Sequence, residues 1–345
     1  MPAILPLVGR LAAALRIAPD FTARAVERWE VSPGGSFAFP RAVMLPGMLD
    51  RIRGTEFGSH ADTVLALIRD DPRPIAPTLG LRFRDVDLID GVLHAGLAAW
   101  HLRPRRSRWA LPRRPDLALT GAIYETWVGN RWFGNWLMDD CETWPLAAAT
   151  GMPVTTRPPG RSHEPRYEAL LGMAPRRIGD AHFDELIVFD DHANNPGRMA
   201  RAAARRDRLL AGRRADPHPG VWLMRGATGD ARILTNEEEI AERLAVRHGF
   251  RVIWPERHGV DELLDLCAGA RVVAGVEGSQ LVHGQAILAA GGGFLTVQPP
   301  DRVTAALKLM SDRLDQRFAL VVAHGDMHRF HAPLDDIEAT LDLLA

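Results

Sequence analysis

An α/β fold is predicted for this chain, most clearly a parallel, doubly wound sheet in its last third. Three observations carry the prediction. From Gly220 onward, strand-like and helix-like segments alternate with short connections, the pattern of βαβ units that cover both faces of a sheet. Of the 345 residues, 46% are hydrophobic and 25% charged, enough apolar material to bury a sizeable core. The break GRRADPHPG ahead of Gly220 separates this regular part from an irregular, Pro-rich first part. The length favours two domains. The expected boundaries are an N-terminal domain over residues 1–212, a C-terminal domain over 213–330, and a last helix within 331–345 that returns to the N-terminal domain.

The chain opens on MPAILPLVGRLAAALRIAP, where an amphipathic helix is predicted from Ile4 to Ile17. Arg10 and Arg16 interrupt it, so it is too short and too broken to cross a membrane, and a signal peptide would carry its basic residues first. Packing on its own domain is favoured over peripheral contact with a membrane surface. Short strands are predicted at Ala42–Leu45, Val86–Ile89 and Val92–Leu97. Asp85, Asp87 and Asp90 alternate with apolar residues as on the wet face of a sheet. The basic stretch Arg103–Arg114 reads as a solvated loop.

Residues Trp132–Ala149 are predicted helical, with Phe133, Leu137, Cys141, Trp144 and Ala148 as the core face. Asn135, Asp139 and Glu142 share a polar face, and Pro145 is expected to bend or end the helix. Leu186–Phe189 reads as a strand and Asp190-Asp191-His192 as a turn; one such cluster without a second spaced ligand does not indicate a metal. An Arg/Ala-rich helix follows, from about Gly197 to Ala211.

In the regular part, the strand GVWLMRG leads through ATGDARIL to a helix in which Thr235 and Glu238 fit a capping box. Then come the strand FRVIWP, the helix VDELLDLCAG, the strand RVVAG, the turn GVEGSQ (Gly275–Gln280), the helix QLVHGQAILAA and the strand GFLTVQ. Ligands of such sheets sit at the carboxyl ends of the strands. Arg225 and Arg232, flanking GATGDA, could converge there with the Gly278-Ser279 turn, where guanidinium forks and free backbone N–H groups suit a diphosphate.

The net charge of -1 argues against nucleic acid as a partner. Cys141 and Cys267 read as buried free thiols. An NAD-dependent enzyme is disfavoured, because VEGSQ is not Gly-x-Gly-x-x-Gly and follows a late strand.

The run WLMRGATGDARILTNEEEIAERLAVRHGFRVIWPE, followed by DLCAGARVVAGVEGSQLVHGQAILAAGG, resembles the C-terminal half of glycosyltransferase family 61. Arg225, Arg232, Asn236, Glu237, Gly249 and Phe250 match the family pattern in order. Upstream, GNRWFGNWLMDD (Gly129–Asp140) is similar to its Gly-Asn-Tyr-x-His-Trp-Leu-x-Asp/Glu segment, and YEALLGMAPRRI (Tyr167–Ile178) to its Leu-Leu-Gly-Ile-x-x-x-Arg-Ile segment. The resemblance covers roughly Gly121 to Pro300.

The resemblance implies a GT-B-like architecture, two Rossmann-like domains facing a cleft. It implies a nucleotide-sugar donor and a glycan or surface-polysaccharide acceptor. It also implies an inverting transfer without an essential metal and no cofactor beyond the donor, in a cytoplasmic bacterial enzyme at the inner face of the membrane. The donor-binding residues are then Arg225, Arg232, Asn236, Glu237, Glu277, Gly278, Ser279 and Gln280.

Four features depart from the pattern, one of them Pro145-Leu146, which lacks the Arg of the family's Pro-Arg-Leu. Asn135 and Glu277 stand where the family has His, and Ser279 where it has Ala. Asn cannot serve as a base, so Asp139, one turn beyond Asn135, becomes the candidate base. Glu277 is expected to face a ribose or sugar hydroxyl. The alternative reading is a catalytically inactive relative that binds glycan or nucleotide as a scaffold. The oligomeric state is open, a homo-oligomer included.

Overall fold

A computed structural model describes residues 8–9, 19–105, 113–160, 162–225 and 232–344. Most of the N-terminal helix expected at Ile4–Ile17, most of Arg103–Arg114 and all of Gly226–Ala231 lie outside the described residues. The chain divides into two units, Met1–Gly34 with Ala76–Arg198, and Gly35–Ile75 with Met199–Ala345. The division therefore falls at Arg198 rather than 212, and an N-terminal segment belongs to the C-terminal unit. No helix among the described residues is long and apolar enough to cross a membrane.

The first unit holds an eight-stranded mixed sheet. Its strands are β1 (Glu27–Ser32), β2 (Thr78–Ile89), β3 (Val92–Ala95), β4 (Ala98–His101), β5 (Ala118–Ile123), β6 (Pro153–Thr155), β7 (Arg176–Arg177) and β8 (Ala181–Asp190). They run in the order β4-β3-β2-β8-β5-β6-β7, with β1 also paired to β2. The strands β8, β5, β6 and β7 are mutually parallel, and β2 meets its neighbours antiparallel. Alternating apolar residues make its core, among them Leu81, Phe83, Val86, Leu93, Ile123 and Phe183. The two later strand predictions of this region fall inside β2 and at β3. The turn joining them is Asp90-Gly91, both at positive φ, as a tight hairpin requires.

Helices α1 (Trp127–Arg131), α2 (Cys141–Thr150) and α3 (Glu164–Leu171) complete this unit. A widened π-turn over Trp136–Asp140 leads into α2, so the core stripe predicted from an unbroken α-period slips. Ala147 is buried and Ala148 exposed. Pro145 neither ends nor breaks α2. Helix α4 (Pro196–Leu210) carries the chain into the second unit.

The second unit is built on β9 (His218–Leu223), β10 (Arg251–Ile253), β11 (Ala270–Val276), β12 (Gly293–Gln298) and β13 (Arg317–Val322). All five are parallel, in the order β10-β9-β11-β12-β13. The near-continuous apolar runs of β12 and β13 are almost wholly buried, β12 as a central parallel strand and β13, at the sheet's edge, under Val43 and the helix over residues 334–344. Their connections are α5 (Glu237–His248), α6 (Val260–Cys267), α7 (Val282–Gln285) and α8 (Ala306–Arg313). Right-handed crossovers in this order put α5 on one face and α6, α7 and α8 on the other. The order reverses between β9 and β11, which makes their carboxyl ends the topological switch point. Gly249 ends α5 at φ 68°, where a residue with a side chain would be strained.

Helix α9 (Leu334–Leu344) stays with this unit rather than returning to the first. It packs on β13, burying Ile337, Leu341 and Leu344, and Arg317 donates to the Leu343 and Leu344 carbonyls at 2.7 and 2.8 Å. Its apolar stripe matches a face that the sheet of this unit leaves to be covered. Residues 35–75 lace onto the same sheet. Val43, in the segment predicted as a strand at Ala42–Leu45, makes only an isolated parallel bridge to Ala319. Thr55 bridges Val303, and Arg51 pairs with Asp336 at 2.6 Å. The only lysine of the chain, Lys308, is buried and paired with Asp312 at 2.6 Å.

Candidate functional site

The switch point of the second unit gathers an arginine cluster. Arg225 follows β9, Glu277–Gln280 follow β11, and Arg302 follows β12. Arg232 stands ahead of α5. Each of Arg225, Arg232, Glu277 and Arg302 is buried. Glu277 accepts from Nη1 of Arg232 and from Nη1 of Arg302, the latter at 2.8 Å. It therefore faces two guanidinium groups. Nη1 of Arg225 donates to Oε1 of Gln280 at 2.9 Å, and Nε2 of Gln280 donates to the Val276 carbonyl at 2.5 Å. Gln280 thus fixes Arg225 against the end of β11. Gly278 is needed at this spot, since a Cβ there would overlap Nη1 of Arg225. Burial, with Arg232 nearby, pushes the Arg225 guanidinium down to about 10, so it stays charged at neutral pH.

Two further residues of the expected set brace the cluster. Asn236 donates to the Ala332 carbonyl at 2.7 Å and accepts from the Ala332 N–H at 3.3 Å, which ties the start of α5 to the approach to α9. Glu237 accepts from the backbone N–H of Arg225 at 2.9 Å. The predicted capping box does not form: the α5 N-cap is Asn236, and the Thr235 hydroxyl donates to the Phe330 carbonyl at 3.0 Å. The helix predicted from Gln280 is also cut short. A single 3-10 turn, Ser279–Leu281, runs into the four residues of α7. Gly284 there lies against Val273, with 2.8 Å from an added Cβ to the valine methyl, and the glycine run 291–293 ends the segment. With so short a helix, the fixed charge at this edge comes from the arginines.

The polar stripe of the first unit is built differently. Nδ2 of Asn135 donates to Oδ2 of Asp139 at 2.8 Å, and Arg198 donates to Oδ1 of Asp139 at 2.5 Å. Arg198 also reaches Glu142 at 3.4 Å. Arg198 and Glu142 are buried, so this face is not solvated. Asp191 accepts from the hydroxyls of Thr78 at 2.7 Å and Thr143 at 3.0 Å, a brace between β2 and α2.

Sequence reasoning brought together Arg225, Arg232 and the Gly278-Ser279 turn; the structure sets Arg225 against Gly278 and Gln280 and Arg232 against Glu277. That reasoning missed Arg302. The carboxyl-end rule used for β9 and β11 applies equally to β12, and the PPDR segment after it was the available signal.

The family model of Glycosyltransferase 61 matches residues 38–287, well over half of the chain. The chain belongs to glycosyltransferase family 61. A comparison with the curated proteins finds no match. This family 61 glycosyltransferase has α/β architecture with large sheets, and the matched span holds every expected site residue, Asn135 through Gln280, while Arg302 lies beyond it.

One property of the glycosyltransferase can be read directly from Glu237. Burial pushes its carboxyl up to about 7 from an ordinary 4.5. Between these values the native state holds a proton that the unfolded chain releases, so stability falls as pH rises through that window. We expect Glu237→Gln to flatten this slope, which amounts to about 3 kcal/mol at most. Urea unfolding at pH 5 and pH 8 checks it, and an unchanged slope would remove Glu237 as the source.

Proposed function

We propose that this glycosyltransferase moves a sugar from a nucleotide-sugar donor to a glycan acceptor, holding the donor diphosphate on Arg225, Arg232 and Arg302. The observation that carries the reading is the convergence of three buried guanidinium groups on the switch point of a parallel sheet, with one carboxylate, Glu277, between two of them. Guanidinium forks match phosphate oxygens in pairs. Negative charge grows on the leaving diphosphate as the sugar bond breaks, and fixed donors aimed there stabilise that state more than the ground state. In this reading the arginines supply the counter-charge to the leaving group without a metal, and the acceptor attacks from the opposite face with inversion. Ser279 and the Gly278 backbone line the same edge.

The reading includes a GT-B-type division of labour, with donor on the unit carrying the five-stranded parallel sheet and acceptor on the other. Asp139 then orders Asn135 and Arg198 rather than taking a proton, because both of its oxygens are engaged. The proposed acceptor is a bacterial surface polysaccharide assembled on the cytoplasmic side of the membrane.

Thermal unfolding with UDP, GDP, CMP and TDP ligands tests the reading. A ligand at 100 times its Kd should add about 2.7 kcal/mol of stability. Failure of every one to raise Tm would count decisively against it.

A further inference from the structure

The five-stranded sheet of the second unit has a second opening, at the edge opposite the arginine cluster. A cavity of about 740 Å³ lies at the amino ends of β9, β11, β12 and β13, a size at which pockets take small molecules. Its inner wall is apolar. Phe250, Ala270, Ile287, Leu341 and Leu344 line it, and each is buried. The chain enters β12 through the glycine run 291–293, which also lines the cavity and puts no side chain into it. Leu344 of α9 comes so near that a Cβ on Gly293 would stand 3.1 Å from its Cδ1.

The mouth is cationic. Arg206, Arg271 and Arg317 line the cavity, and all three reach solvent. Arg271 is exposed and has no acidic partner among the described residues. Arg317 donates to the carbonyls of Leu343 and Leu344, which are neutral and leave its charge uncancelled. Arg206 comes only within 3.7 Å of an Asp207 oxygen, and its Nε is buried with no acceptor among the described residues. Of the described lining residues, the one carboxylate is Asp342, exposed, and the one histidine, His248, meets Glu338 at 3.1 Å. An apolar wall under three guanidinium groups suits a hydrocarbon chain that ends in an anion. The chain gains by leaving water, and guanidinium forks pair with phosphate or carboxylate oxygens. A bare anion would leave the wall uncovered, and a neutral chain would leave the forks unmatched.

We propose that this cavity binds a free single-chain anionic amphiphile, an alkyl phosphate or acyl carboxylate, with its chain on the apolar wall and its head at the arginine-lined mouth. The site lies at the opposite end of the strands from the arginine cluster, and the proposal does not depend on the donor reading.

Calorimetric titration of the full-length protein with hexyl, octyl and decyl phosphate, each kept monomeric, tests this. One molecule should bind per chain, about fourfold tighter for each added methylene. Decanol should bind about tenfold more weakly than decyl phosphate. Arg271→Gln should weaken decyl phosphate about tenfold and leave decanol unchanged. Ala290→Phe, which sets a ring into the cavity from an exposed stretch of its wall, should remove the dependence on chain length. Melting curves verify that both variants fold. Affinity that is flat across the series would overturn the proposal, as would decanol binding as tightly as decyl phosphate. So would wild-type affinity for decyl phosphate in a folded Ala290→Phe; if that variant does not fold, unchanged affinity in Arg271→Gln decides against the proposal in its place. Binding seen only when decyl phosphate is embedded in phosphatidylcholine vesicles would overturn it in favour of a membrane contact.

Discussion

Glu277→Gln is expected to destabilise the protein by about 3–5 kcal/mol, the usual cost of removing one partner of a buried ion pair. Gln has nearly the same shape, so packing is preserved and the change isolates the charge. Without the carboxylate, Arg232 and Arg302 stay buried with their shared counter-ion gone. A second expectation separates this account from ordinary damage. A diphosphate supplies the missing negative charge, so pyrophosphate or a nucleoside diphosphate should raise the Tm of Glu277→Gln more than that of wild type. Thermal unfolding with and without these ligands reads both effects. A variant as stable as wild type would show that Glu277 is not the counter-ion. A destabilised variant that no diphosphate rescues would show that the arginines do not receive phosphate.

Arg225→Ala is expected to lower kcat for sugar transfer about 100- to 1000-fold, the loss seen when one fixed donor to a developing anion is removed. Arg225 is held by Gln280 at 2.9 Å and crowded by Gly278, so its fork is set in place before any ligand arrives. Burial and the charge of Arg232 raise the cost of its own charge. An arriving anion relieves that cost, and the gain is greatest when the anion is most charged. Arg225→Lys should recover little, because an ammonium cannot reproduce a planar two-pronged contact. The fold should survive, since Arg225→Ala removes a like charge from beside Arg232. Steady-state kinetics with a measured Tm separates the two effects. A kcat within twofold of wild type would take Arg225 out of the reaction.

Much of the second unit was legible from residue order alone. Strand–helix alternation forces a parallel sheet, and strand ends then point to Arg225 and Gly278 with no knowledge of the rest of the chain. What escaped depends on contacts distant in sequence. Residues 35–75 reach this sheet only by crossing to β13 and to the segment after β12, and no local pattern encodes that crossing. Glu277 was read toward a ribose or sugar hydroxyl because Arg302, 25 residues on, was not in view. The capping box failed because Phe330 offered the Thr235 hydroxyl a better partner than the helix did. The π-turn at Trp136–Asp140 defeated the α-helical period, which assumes that every turn has the same width. Asp139 and Asn135 were correctly seen to share a face, but Arg198, which covers it, comes from a segment read only as a basic helix.

The lacing of residues 35–75 onto the second sheet also orders events during synthesis. Val43, Thr55 and Arg51 find their partners at Ala319, Val303 and Asp336, so this segment leaves the ribosome well before anything it can dock on exists. At about 5–20 residues per second, the interval is on the order of tens of seconds. During it, apolar residues that end up buried, such as Phe39, Met48 and Leu67, have no native surface to cover them. The first unit can close meanwhile around the looped-out segment. The arginine-bearing half is finished last, by a piece of chain made first, and a fragment beginning at Met199 would lack the strap that docks on its sheet.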